Sequence, residues 1–101
     1  FLQGVGKNRN MMHTLLLNGF MACIEVDDFT NALYFKKQIE KNFFEENETY
    51  FRIVYLWAEG LLDSKQGRVE EGQRKMEDAL RIFEMIGCIK SADYYRSAMK
   101  C

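Results

Sequence analysis

Proline is absent from this 101-residue chain, and histidine and tryptophan occur once each. Without proline no helix need be kinked or stopped for want of an N–H, and no stretch has the composition of a disordered linker. His13 has no cysteine or carboxylate at ligand spacing, so no metal site is expected. An excess of one charge is missing too: 14 Lys and Arg against 15 Asp and Glu leave a formal net charge of −1. Such a segment has no basic field to hold a nucleic-acid backbone. If it belongs to a DNA-binding protein, DNA is reached only through a domain outside these residues. No apolar run reaches the roughly 18 residues of a membrane span, and no signal peptide is visible. The three cysteines, Cys23, Cys88 and Cys101, are odd in number and irregular in spacing. They argue against a disulfide framework and for a reducing, cytoplasmic compartment.

Catalytic patterns are missing as well. Gly4-x-Gly6-Lys7 lacks the spacing, the hydroxyl after lysine and the preceding strand of a phosphate loop. Ser64, Ser91 and Ser97 have no nucleophile-elbow setting, and no pair of carboxylates is isolated in an apolar pocket. The chain is expected to be no enzyme and to need no cofactor. It begins at Phe1 rather than Met and reads as a fragment or processed product, forming one helical domain over 1–101.

What is present is helical periodicity. Residues 1–8 are punctuated by glycine and read as an entry loop or the tail of a preceding helix. A helix is predicted over about 10–26. Asp27 and Asp28 break it and can cap the next, about 29–43. Glu45-Glu46-Asn47 reads as a polar connection with Asn47 as N-cap. A third helix, about 48–65, stops at Gly67, and a fourth, about 69–86, stops at Gly87. A short last helix covers about 90–100. The hairpins are therefore about 10–43 and 48–87.

The apolar patterns alternate. The fourth helix carries one stripe, Val69, Gly72, Met76, Ala79, Leu80, Phe83 and Ile86. Its other face is charged, with i,i+4 pairs Glu70–Arg74 and Glu71–Lys75 expected. The third helix is apolar all round, from Tyr50 to Leu62, and must be covered on more than one side. The first repeats this through Met11, Met12, Leu15, Leu16, Leu17, Phe20 and Ile24. The second is closer to striped, with Phe29, Ala32, Leu33, Phe35, Ile39 and Phe43. Buried, striped, buried, striped is the order that stacked helical hairpins produce, with 10–26 and 48–65 as the inner layer and 29–43 and 69–86 as the outer. Gly60, Gly67, Gly72 and Ala79 fall where a tetratricopeptide repeat needs small residues, with Met76 as the large residue between. Ala32 to Gly72 is 40 residues, longer than the standard unit of about 34. The fold class is all-α, a divergent tetratricopeptide-like repeat of about five helices.

A more specific pattern runs through the chain: Leu15-Leu16-Leu17-Asn18-Gly19, Ala32, Ala58-Glu59-Gly60-Leu61-Leu62, Gly67-Arg68-Val69-Glu70-Glu71-Gly72, Met76 to Phe83 closing on Gly87, and Ala92-Asp93-Tyr94-Tyr95. Over about 10–100 it resembles the C-terminal region of the Rgg/GadR/MutR transcriptional regulators. That resemblance implies a cytoplasmic regulator of Gram-positive bacteria whose DNA-binding helix-turn-helix lies upstream. It also implies a helical domain that forms a homodimer and binds a short peptide pheromone on its concave face, as in quorum sensing. The alternative is a generic tetratricopeptide-type adaptor holding a protein segment.

Candidate peptide-binding residues follow from the repeat. Thr14, Leu17 and Met21 should point inward from the first helix, and Val54, Trp57 and Leu61 from the third. Asn18 is singled out because its amide sits in a strongly apolar helix and can both donate to and accept from an extended peptide backbone. Glu59 and Arg52 are lesser candidates, Arg52 for a peptide carboxylate. On the last helix Ala92, Tyr95 and Met99 share one side with no following repeat to cover it, and form the candidate dimer interface.

Overall fold

A computed structural model describes residues 3–43 and 49–99, with the side chains of 14–41 and 49–99. These residues form α1 (Gln3–Glu25), α2 (Phe29–Phe43), α3 (Thr49–Lys65), α4 (Val69–Met85) and α5 (Ile89–Met99), with no strand among them. They fall into two compact units, 1–52 and 53–101.

Three helices end in one way. The N–H of Asp28 donates to the Cys23 carbonyl at 2.8 Å and that of Asp27 to Ile24 at 3.1 Å. Arg68 to Asp63 (2.8 Å) with Gly67 to Ser64 (3.2 Å), and Cys88 to Phe83 (2.7 Å) with Gly87 to Glu84 (3.1 Å), repeat the pattern. Each is a Schellman closure, and it needs a left-handed residue just beyond the helix. Gly67 (φ 99°) and Gly87 (φ 86°) supply it, and Asp27 (φ 61°) does so against a side-chain penalty. The residue after each turn at once begins the next helix: the carbonyls of Asp28, Arg68 and Cys88 accept from Ala32, Gly72 and Ala92. Those acceptor partners are small and buried, which lets the new helix lie close.

In the first unit α1 packs along α2. Leu17, Phe20 and Ile24, at i, i+3 and i+7, are buried on α1, and Ala32 and Ile39 on α2. Gly19 lies under the ring of Phe35, whose nearest carbon would stand 2.8 Å from an added Cβ. Asp28 caps α2 by accepting from the Asn31 N–H (3.3 Å) and side-chain amide (2.7 Å).

In the second unit α3 buries Ile53, Val54, Tyr55, Trp57, Ala58, Gly60, Leu62 and Asp63, so its burial does go round the cylinder. α4 buries the stripe Gly72, Met76, Ala79, Leu80 and Phe83, and α5 buries Ala92 and Tyr95. The α3–α4 crossing is backbone on backbone: a Cβ on Gly60 would stand 2.5 Å from the Gly72 carbonyl oxygen.

Several expectations change. The glycines at 4 and 6 sit inside α1, which starts at Gln3 rather than in an entry loop. Each glycine costs a helix about 1 kcal/mol against alanine, too little to stop a helix this long. α1 is not covered all round, because Leu15 is 66% exposed. Leu33 of α2 is exposed, as are Val69 and Ile86 at the ends of the α4 stripe. Lys75 pairs not with Glu71 but with Asp63 on α3, at 2.8 Å. The 45–47 connection and the side chains of Met11, Met12, His13 and Phe43 lie outside the described residues, as does Cys101.

Candidate functional site

Helical spacing puts Thr14, Leu17, Asn18 and Met21 on one face of α1, at i, i+3, i+4 and i+7. Thr14 and Asn18 are exposed, Met21 is half-buried and Leu17 is buried. The face thus offers polar heads to water above an apolar footing, and Leu15 and Ala22 beside it are exposed as well. Although it sits in an apolar helix, Asn18 is exposed to solvent.

The α3 set belongs to the second unit. Val54, Trp57 and Leu61 lie at i, i+3 and i+7; Val54 and Trp57 are buried and Leu61 is half-buried. The indole of Trp57 meets the ring of Tyr95 at a centroid distance of 4.9 Å, and Tyr95 stacks on Phe83 at 5.7 Å with planes 4° apart. Trp57 of α3, Tyr95 of α5 and Phe83 of α4 thus form one chain of ring contacts. The Trp57 Nε1–H is enclosed and has no hydrogen-bond partner among the described residues.

Two charged clusters were not foreseen. Asp63, 8% exposed, receives Lys75 of α4 at 2.8 Å and Arg68 of the turn at 2.9 Å. Burial alone would raise its pKa; the bonds and charges of Lys75 and Arg68 outweigh that and hold the carboxyl below its ordinary value. Arg96 of α5 reaches Glu84 of α4 at 2.6 Å and Asp93 at 3.0 Å. With Gln73, Glu77, Leu80, Arg81 and Met99, Arg96 and Glu84 line a groove of about 480 Å³ between α4 and α5. A sequence signal for Asp63 existed: it lies three residues from Gly60, on the side of α3 that meets α4. Glu84 and Arg96, on different helices, had none.

Of the α5 residues expected at a dimer interface, Ala92 and Tyr95 are buried against the unit's own helices and Met99 is half-buried at the groove. Arg52 is exposed and Glu59 half-buried. The Cys23 thiol is pushed up by burial and by the nearby Asp28 carboxylate, which disfavours the reactive thiolate. Among the described residues no cluster of His, Cys, Asp or Glu could hold a metal ion, and no helix is long and apolar enough to cross a membrane.

The helices define an all-α, tetratricopeptide-like domain built of closely crossed hairpins. Residues 1–97 match the family model described as the C-terminal domain of the HTH-type transcriptional regulator Rgg. The chain belongs to that family of transcriptional regulators, as the C-terminal domain. It is also similar to the crystal structure of the SHP pheromone receptor Rgg2 of Streptococcus dysgalactiae. That likeness has a TM-score of 0.86 and 27% identity, over 92% of this chain and 35% of the receptor. The chain thus spans about a third of the receptor's length. No curated protein sequence matches it.

Proposed function

We propose that this chain is the peptide-sensing and dimerisation domain of a cytoplasmic transcriptional regulator that binds a short hydrophobic peptide pheromone, with Asn18 and Met21 as candidate contacts in the first unit and Trp57 and Leu61 in the second. The observation that carries the reading is the likeness to a pheromone receptor across 92% of the chain, joined to the family match. An extended peptide brings unpaired N–H and C=O groups, and the exposed amide of Asn18 can answer one of each. Apolar peptide side chains would be covered by the half-buried Met21, one turn along the same face. Methionine suits this role because its flexible thioether adapts to different partners. DNA would be bound by a helix-turn-helix elsewhere in the protein, consistent with a net charge near zero here. Pairing with a second copy is proposed through α5. With Ala92 and Tyr95 occupied within the unit, this helix can offer the exposed Ile89 and Tyr94 and the half-buried Met99.

Isothermal calorimetry with a panel of short synthetic apolar peptides tests the reading. The expected outcome is micromolar or tighter binding that Asn18→Ala weakens about tenfold, the worth of one or two hydrogen bonds. Absence of both heat and any shift in melting temperature across the panel would sink it.

A further inference from the structure

We propose that the indole N–H of Trp57 is a hydrogen-bond donor held for the ligand, and that its acceptor is a main-chain carbonyl of an apolar peptide. The inference rests on the peptide-binding reading and names one polar contact within it.

Trp57 is 3% exposed and its Nε1 is enclosed with no acceptor among the described residues. An unanswered buried donor is destabilising, and native folds leave few of them. Unlike a hydroxyl, an indole N–H cannot rotate to find another partner. Its direction is fixed by the ring, and the ring is fixed by Tyr95 at 4.9 Å, itself stacked on Phe83. A phenyl ring would bring no such donor, at the cost of the volume of the indole's second ring. The domain therefore carries a destabilising group in a rigid setting, which is how a preorganised binding contact is built.

The surroundings specify the acceptor. Trp57 shares its face of α3 with Val54 and Leu61, both apolar, so a charged acceptor would be desolvated with nothing to compensate it. A peptide carbonyl entering the same apolar site loses its water and needs a neutral donor. Each group satisfies the other. Leu61, one turn along on the same face, is half-buried.

The test starts from eight-residue apolar peptides with both termini blocked, selected for binding to this chain from a library. Trp57 is the sole tryptophan, so a ¹⁵N–¹H correlation spectrum contains one indole cross-peak. The expected result is a downfield shift of that proton on adding the selected peptide. Trp57→Phe should remain folded, with the melting temperature lowered only by the lost ring volume, while weakening the peptide about five- to tenfold, one hydrogen bond's worth. A cross-peak that stays in place overturns the proposal even if Trp57→Phe fails to fold. So does a folded Trp57→Phe that binds within twofold of wild type. A library that yields no binder removes the peptide reading and this inference together, whereas a binder that ignores the indole removes this inference alone.

Discussion

Two crossings in this chain are made in different materials. Where α3 meets α4, Gly60 and Gly72 bring backbone against backbone, whereas where α1 meets α2, Gly19 lies under the ring of Phe35. A phenyl ring is the far end of a side chain and can tilt; a carbonyl in a helix cannot move without moving the helix. The second unit also ties its helices with Asp63 between Lys75 and Arg68, and with Arg96 on Glu84. The lesson is that one hairpin pattern can be set rigidly or with tolerance, depending on what a glycine faces. The two units should therefore respond differently to the same insult.

The largest contrast is expected from a single methyl group. Gly60→Ala should destabilise the chain by about 3 kcal/mol, the upper range for overpacking. Gly19→Ala should cost under about 1 kcal/mol, because ring movement and the gain in helix propensity offset the clash. Urea unfolding measures both, and equal losses would erase the distinction.

Next comes Asp63→Asn, which leaves two cations facing a neutral amide. A loss of about 2 kcal/mol is expected, below the range for fully buried pairs because Arg68 is largely exposed. The sign with pH follows from the lowered pKa. The pair's contribution is complete above the ordinary carboxyl value of 3.8 and is lost as pH falls through the lower folded value. Wild type and Asp63→Asn should thus differ at neutral pH and converge in strong acid. A constant difference down to the acid limit would contradict the assignment.

The smallest effect sharpens the comparison at the turns. Asp27→Gly should stabilise by about 0.5 kcal/mol by relieving a left-handed side chain, while Gly67→Ala at the equivalent place should cost about 1 kcal/mol. Thermal melts resolve opposite signs even where magnitudes are small.

Much of this was readable before any coordinates. Gly67 and Gly87 marked the ends of α3 and α4 because only glycine enters the left-handed region freely. The Asp27-Asp28 pair gave the α1–α2 turn for the same conformational reason, aided by the capping carboxylate. Gly60 and Gly72 announced their crossing by standing in otherwise bulky helices. The start of α1 was misread because glycine was weighed as a breaker. The exposure of Leu15 and Leu33 was not legible either, since periodicity gives a face but not whether anything covers it. At the candidate site, spacing placed Trp57 with Val54 and Leu61. It could not supply Tyr95 and Phe83, which come from other helices, or show that the indole lacks an acceptor among the described residues. Asp63 was passed over because a carboxylate near a helix end reads as solvated.

The three Schellman turns also bear on how such a chain can change over evolutionary time. Each passes from one helix to the next with no spare residue, so an inserted residue must be absorbed by a flanking helix. There it would turn every later side chain by roughly 100° about the axis. One extra residue between Gly87 and Tyr95 would swing that ring off both Trp57 and Phe83. Point substitution is therefore the open route for altering these hairpins, and changes of length at the turns are nearly closed to them.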